Sequence, residues 1–132
     1  EISRVLKYDG KVFSSIPFMQ QVHMGCYDFT RYTLLGHRWL FNSFKEVELS
    51  PASGSGSALL WSISSFVCSF ISSRFLDLVI KSIIRILLFW IKYFDLLQKN
   101  SSDFALGSYF VGINKKTPVL NKKELVELYN KK

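Results

Sequence analysis

The sequence is poor in cysteine, and that removes several kinds of chemistry at once. Its two cysteines, Cys26 and Cys68, lie far apart in unlike segments. No CxxC and no His/Cys spacing accompanies them, so no metal site is expected. A reduced, cytoplasmic protein is the default for so few thiols. Cys68 sits in an apolar run, where a small core residue belongs. A glycine-rich phosphate loop is also missing. No G-x-G-x-x-G occurs, and Gly54-Ser55-Gly56 falls in what reads as a linker with no strand before it. No charged start precedes an apolar run, so no signal peptide is expected. Residues 58–73 carry no charge but fall short of the ~20 residues a membrane span needs.

What is present fits one globular domain. The 132 residues are 48% apolar and 20% charged, too apolar for a disordered tail. Glu1 opens directly into a helical pattern, and the N-terminus reads as a cut inside a longer protein. Seventeen Lys and Arg against ten Asp and Glu give a net charge of +7. Such a balance can favour nucleic acid or anionic lipid. The basic residues are scattered or sit on one helix. Their only cluster (Lys115, Lys116, Lys122, Lys123, Lys131 and Lys132) reads as a solvated tail. No recognition motif accompanies the charge, so no nucleic-acid partner is expected.

Residues 1–7 read as the end of a helix, with Ile2, Val5 and Leu6 on one face. Asp9-Gly10 signals a turn. Residues 12–16 read as a short strand that Pro17 ends. Residues 17–32 have no clean period and crowd aromatic, His, Gly, Asp and Arg side chains together, a loop rich in functional groups. Thr33 is a plausible N-cap for a helix from residue 34 to about 44. Leu35, Trp39, Leu40 and Phe44 would face inward, Gly36 weakens the helix, and His37 would lie at the surface or boundary. Val47 and Leu49 alternate with Glu46 and Glu48 like a half-buried strand. Residues 51–57 suit a flexible connector. Residues 104–114 read as a strand whose Gly107 and Gly112 suggest a bulge or close backbone approach. Asn121 followed by Glu124 resembles a capped helix start.

Residues 1–13, Glu1-Ile-Ser-Arg-Val-Leu-Lys7-Tyr-Asp-Gly10-Lys-Val-Phe13, resemble a segment of class I S-adenosylmethionine-dependent methyltransferases. There a helix ending in E-x-x-R-V-L-K-P-G-G turns into the fifth strand of the sheet. Here Tyr8-Asp9-Gly10 stands where the family has Pro-Gly-Gly; Asp-Gly also makes a tight turn. Next, Ile16-Pro17-Phe18-Met19, Val22-His23 and Tyr27-Asp28-Phe29-Thr30-Arg31-Tyr32-Thr33 resemble a P-F-x-x-x-x-H…x-D-F-x-R-Y-T pattern of one branch. The resemblance covers most of residues 1–50 and, more loosely, 104–114.

The resemblance implies an α/β fold. Residues 1–132 would be the C-terminal part of a Rossmann-like methyltransferase sheet, largely parallel with the last strand antiparallel. Residues 57–99 would be an inserted apolar helical hairpin between the last two strands. The cofactor, S-adenosylmethionine, would be bound mainly by a missing N-terminal half, since the glycine loop and the acidic residue that hold it lie upstream in the family. No cofactor-binding residue is therefore carried over. The loop after the fifth strand sits beside the transferred methyl group. His23 is its one versatile base, able to take a proton from a hydroxyl or amine acceptor, or else a loop residue bonding backbone. Asp28 and Arg31 either bind substrate or pair and cap the next helix. Tyr27 and Tyr32 either wall an acceptor pocket or pack.

The second apolar segment, residues 75–98, reads as one long helix. Its charges Asp77, Lys81, Arg85, Lys92 and Asp95 fall within a stripe of roughly 80°. Apolar over most of its circumference, it needs more than one contact. It could pair with residues 58–73 as a dry hairpin, or lie on an anionic membrane surface, to which Arg74, Lys99, Trp90 and Tyr93 are suited. The leading expectation is methyl transfer to an unidentified acceptor, lipid-linked or glycan in kind. The chain would be cytoplasmic, and peripheral at the membrane if the hairpin touches lipid. The alternative is a small basic membrane-binding module without catalytic activity.

Overall fold

The computed structural model of the chain describes residues 1–22, 25–97, 101–115 and 120–130. Asp9 takes a positive φ of 63°, and the Gly10 N–H donates to the Lys7 carbonyl at 2.9 Å. A Cβ on Gly10 would meet that oxygen at 2.8 Å, so the turn requires glycine there. This turn carries the chain from α1 (Ile2–Val5) into β1 (Lys11–Pro17). Of the expected inward face of α1, only Leu6 packs on the core. Ile2 and Val5 are exposed, because one helical turn is too short to bury both.

Helix α2 (Leu34–Leu40) begins as its cap predicts: the Thr33 hydroxyl accepts from the Gly36 N–H at 3.0 Å. The helix ends earlier than residue 44 and turns a different face inward. Leu34, His37, Phe41 and Phe44 are buried, while Trp39 and Leu40 are exposed. Strand β2 (Lys45–Ser53) follows and runs through Pro51 into the expected connector. The simple alternation fails there because the register slips between Glu46 and Glu48. That bulge leaves Val47 exposed and directs Glu46 to Arg38 of α2 at 2.6 Å.

Helix α3 (Ser55–Cys68) starts two residues after β2, so Gly54-Ser55-Gly56 is a strand-to-helix turn rather than a linker. The Asp95 carboxylate holds this turn. It accepts from the Gly56 N–H at 2.6 Å, the Ser57 N–H at 3.2 Å and the Ser57 hydroxyl at 3.0 Å. A negative charge at a helix N-terminus satisfies orphan donors and complements the helix dipole. The expected 75–98 helix is correspondingly broken. Helix α4 (Arg74–Leu87) stops at Leu88, and residues Phe89–Leu97 tighten into a 3-10 segment that brings Asp95 to α3. Lys99, the end of the expected charge stripe, lies outside the described residues, as do Lys116, Lys131 and Lys132 of the basic tail. Lys115 is no solvated tail residue, since it pairs with Asp9 and lies over the Tyr8 ring.

Strand β3 (Gly107–Ile113) closes a three-stranded sheet in the order β1-β3-β2 and pairs antiparallel to both neighbours. β1 and β2 therefore point the same way without pairing, so every pairing in this sheet is antiparallel where the resemblance implies a largely parallel one. A Cβ on Gly107 would lie 2.6 Å from the Ile16 carbonyl, and one on Gly112 would meet the Phe110 ring at 2.6 Å. Both glycines mark close approach, as their positions suggest. Helix α5 (Lys122–Asn130) packs against α2. Its start is a reciprocal capping box, with the Asn121 N–H on Glu124 at 2.7 Å and the Glu124 N–H on Asn121 at 3.0 Å.

The core lies on one face of the sheet. Phe41 and Phe44 come from the end of α2, and Phe110 from the central strand, with Leu6, Val12 and Leu49 around them. The opposite face carries Phe13, 70% exposed, beside Tyr109. Under α2, the buried His37 ring bonds the Ser108 hydroxyl at 2.9 Å through Nδ1 and the Ser14 hydroxyl at 3.1 Å through Nε2. It is no boundary residue, because these two hydroxyls replace water at both ring nitrogens.

Burial pushes the His37 pKa below its ordinary value, so the folded protein holds the ring neutral. The unfolded chain then binds the proton more readily, and stability rises with pH where the two states differ. Stability should be level above about pH 6.5 and fall below it, at up to about 1.4 kcal/mol per pH unit. Urea unfolding between pH 7.5 and about 5 measures this, above the range where carboxylates protonate. A His37→Gln variant should show a much flatter dependence; an unchanged slope would assign it to another group.

Candidate functional site

The loop between β1 and α2 is held at both ends. The Phe18 N–H donates to Leu106 at 2.9 Å and the Met19 N–H to Ala105 at 3.3 Å, binding the start of the loop to the segment before β3. Arg31 ties its end back across the loop. Its guanidinium forms a two-pronged pair with Asp28 and donates to the carbonyls of Gln20 at 3.1 Å and Gln21 at 3.2 Å. Only 7% of the Asp28 side chain is exposed, so this pair is structural as well as charged. It raises the already high Arg31 pKa. The Gln21 amide reaches α3 and donates to the Ser62 hydroxyl at 2.8 Å.

These bonds place the loop over the helical hairpin and leave a cleft of about 760 Å³ between them. Gln20, Gln21, Asp28 and Arg31 form one wall; Ser65 and Cys68 of α3, Ser69 just after it, and Asp77 and Lys81 of α4 form the other. Lys81 donates to Asp77 at 2.7 Å. That bond lowers the Asp77 pKa and raises that of Lys81, so both stay ionised near neutrality. Partial burial, then the contact with Asp77, pushes the Cys68 thiol up. A protonated thiol is a poor nucleophile, and thiolate chemistry does not suit this wall.

A second cleft of about 610 Å³ lies alongside and shares Gln21, Val22, Ser65 and Lys81 with the first. Arg85 and Lys92 add two cations to it, opposite Ser57 and Ser64 of α3. Gln21 stands between the two clefts, and its Oε1 is buried with no hydrogen-bond partner among the described residues. An unpaired buried acceptor is costly.

Of the residues the sequence singles out, Asp28 and Arg31 meet at the first cleft. Tyr27, in a 3-10 turn (Gly25–Tyr27), is exposed and does not line either cleft; nor does Tyr32, which packs near Gly36. His23 lies outside the described residues. Gln21, Ser62 and Ser65 are absent from the sequence-based candidates. Two adjacent glutamines within the loop were the available signal for the first of these.

The turn at Gly54 and Gly56 offers S-adenosylmethionine no cradle. The one glycine-bearing strand-to-helix turn, at Gly54 and Gly56, is filled. A Cβ on Gly54 would meet the Asp95 carboxyl carbon at 2.4 Å, and one on Gly56 the Ile91 carbonyl at 2.5 Å. The chain's own carboxylate already occupies the exposed N–H groups there. No known family model, curated protein or solved structure matches this chain.

Proposed function

We propose that these 132 residues form the acceptor-side part of a class I S-adenosylmethionine-dependent methyltransferase, with the cofactor held by segments outside them. One observation carries the reading. The loop that resembles the family's P-F…H…D-F-x-R-Y-T pattern leaves the carboxyl end of β1, which runs parallel to β2, and the last strand, β3, runs antiparallel to both. A last strand antiparallel to its neighbours agrees with what the resemblance implies, and ligands in open α/β sheets gather at the carboxyl ends of strands. Within this reading the first cleft takes the acceptor. Asp28 and Arg31 shape its wall, and His23, next in sequence to the wall residue Val22, takes the proton of the acceptor hydroxyl or amine.

Calorimetric titration with S-adenosylmethionine, followed by tritium transfer from labelled cofactor into lipid and glycan extracts, tests the proposal. The chain expressed with its flanking coding sequence should bind the cofactor saturably; the 132 residues alone should give no saturable heat. Micromolar binding by the isolated chain would put the cofactor site inside it. A folded longer protein that binds no cofactor would end the methyltransferase reading.

A further inference from the structure

Helix α4 is turned inside out with respect to the chain. Its half-buried side, toward α3, carries Asp77 and Lys81 beside Ile80 and Ile84. Its outer side carries Phe75, Leu78, Val79, Ile83 and Ile86, with Leu78 65% and Ile86 71% exposed. At about 100° per residue, the outer apolar positions from Leu78 to Leu87 sweep roughly 180° of the helix. Trp90, Phe94 and Leu97 of the 3-10 segment and Phe66 and Phe70 at the end of α3 are exposed as well. Scattered exposed apolar residues are ordinary, but a contiguous surface of this extent marks a contact.

We infer that this outer face docks on an anionic phospholipid bilayer, lying in the plane of its surface. Length argues against spanning: the 14 residues of α4 reach about 21 Å, and no helix among the described residues is long and apolar enough to cross. Charge argues for lipid over a protein groove. Asp77 is paired with Lys81 and Asp95 is held at α3, while Arg74, Arg85 and Lys92 have no carboxylate partner among the described residues. Arg74 and Arg85 both border the Leu78 edge of the apolar arc, where long cationic side chains reach headgroup phosphates as the apolar face enters the acyl region. Arg85 and Lys92 also wall the second cleft, whose serines offer further donors. Trp90 and Tyr93, both exposed, have the amphipathic rings suited to that boundary. The inference stands independently of methyl transfer, because it requires no cofactor.

Flotation of the full chain with phosphatidylglycerol-containing and pure phosphatidylcholine vesicles tests it, with circular dichroism as the check on folding. The chain should float with anionic vesicles, and less so as salt is raised. Arg85→Gln with Lys92→Gln should weaken binding to anionic vesicles about 25-fold, at about 5-fold per cation, with no such loss on neutral ones. Leu78→Glu with Ile86→Glu should abolish flotation while leaving the circular dichroism unchanged, since both positions already face out. Absence of flotation by the folded chain, or equal binding to both vesicle types, would overturn the inference. So would a dimer in light scattering that the two glutamates dissociate, which would make a second copy the occupant.

Discussion

Replacing Phe110 with alanine should cost the fold about 3–5 kcal/mol, the range for removing a fully buried phenylalanine. Phe110 is 1% exposed and lies on the central strand, so strands on both sides depend on its position. It stacks on Phe41 with ring centroids 5.0 Å apart and planes 17° apart, and tilts against His37 at 5.9 Å. Gly112 is fitted against its ring, so the space it fills is bounded on that side by backbone. A cavity there has little freedom to collapse. The change would also loosen the aromatic wall that shields His37 and its two serine partners from water. Equilibrium urea unfolding measures the loss. Phe13→Ala, on the other face of the neighbouring strand, should cost under about 1 kcal/mol, because that ring is already mostly in solvent. Equal losses at the two positions would contradict a core confined to one face of the sheet.

The local signals in the sequence were legible where both partners lie within a few residues. The Asp9-Gly10 turn, the Thr33 cap and the Asn121–Glu124 box each join groups at most three apart, and each forms as its residues suggest. The failures come from partners far along the chain. His37 reads as a boundary residue because the hydroxyls that permit its burial stand 23 and 71 positions away. The inward face of α2 shifts with it, since a buried histidine moves the apolar stripe onto Leu34 and Phe41. Gly54-Ser55-Gly56 reads as a linker because Asp95, which makes it a helix start, lies 39 residues on from Gly56. The same contact breaks the long 75–98 helix, at a point where neither glycine nor proline gives warning. For α4 the periodicity located the polar stripe but could not say which side would face out, because that depends on what α3 offers it. In the candidate site, Asp28 and Arg31 were legible for a similar reason, being three residues apart. Gln21 was not, since its burial depends on a serine 41 positions away.

Loss of His23 should lower methyl transfer by about 10²–10⁴-fold, the usual contribution of a general base. The expectation rests on the proposed activity and on the chemistry of the acceptor. A hydroxyl or amine attacking a methyl sulfonium becomes a stronger nucleophile as its proton leaves, so a base acting in that step changes turnover directly. Among the other groups near this loop, Asp28 is committed to Arg31, Asp77 to Lys81, and the Cys68 thiol is pushed away from ionisation. His23, next in sequence to the cleft residue Val22, is the loop's one imidazole and the base this proposal assigns to the task. Single-turnover transfer with His23→Ala in the cofactor-binding protein, using the acceptor labelled by tritium, measures the effect, with cofactor affinity expected to change little. His23→Asn separates chemistry from architecture. An amide keeps the hydrogen bonding of the ring but cannot take the proton, so this variant should be as slow as His23→Ala. Should His23→Asn instead retain most of the activity while His23→Ala alone loses it, the residue holds the loop and the proton leaves by another route.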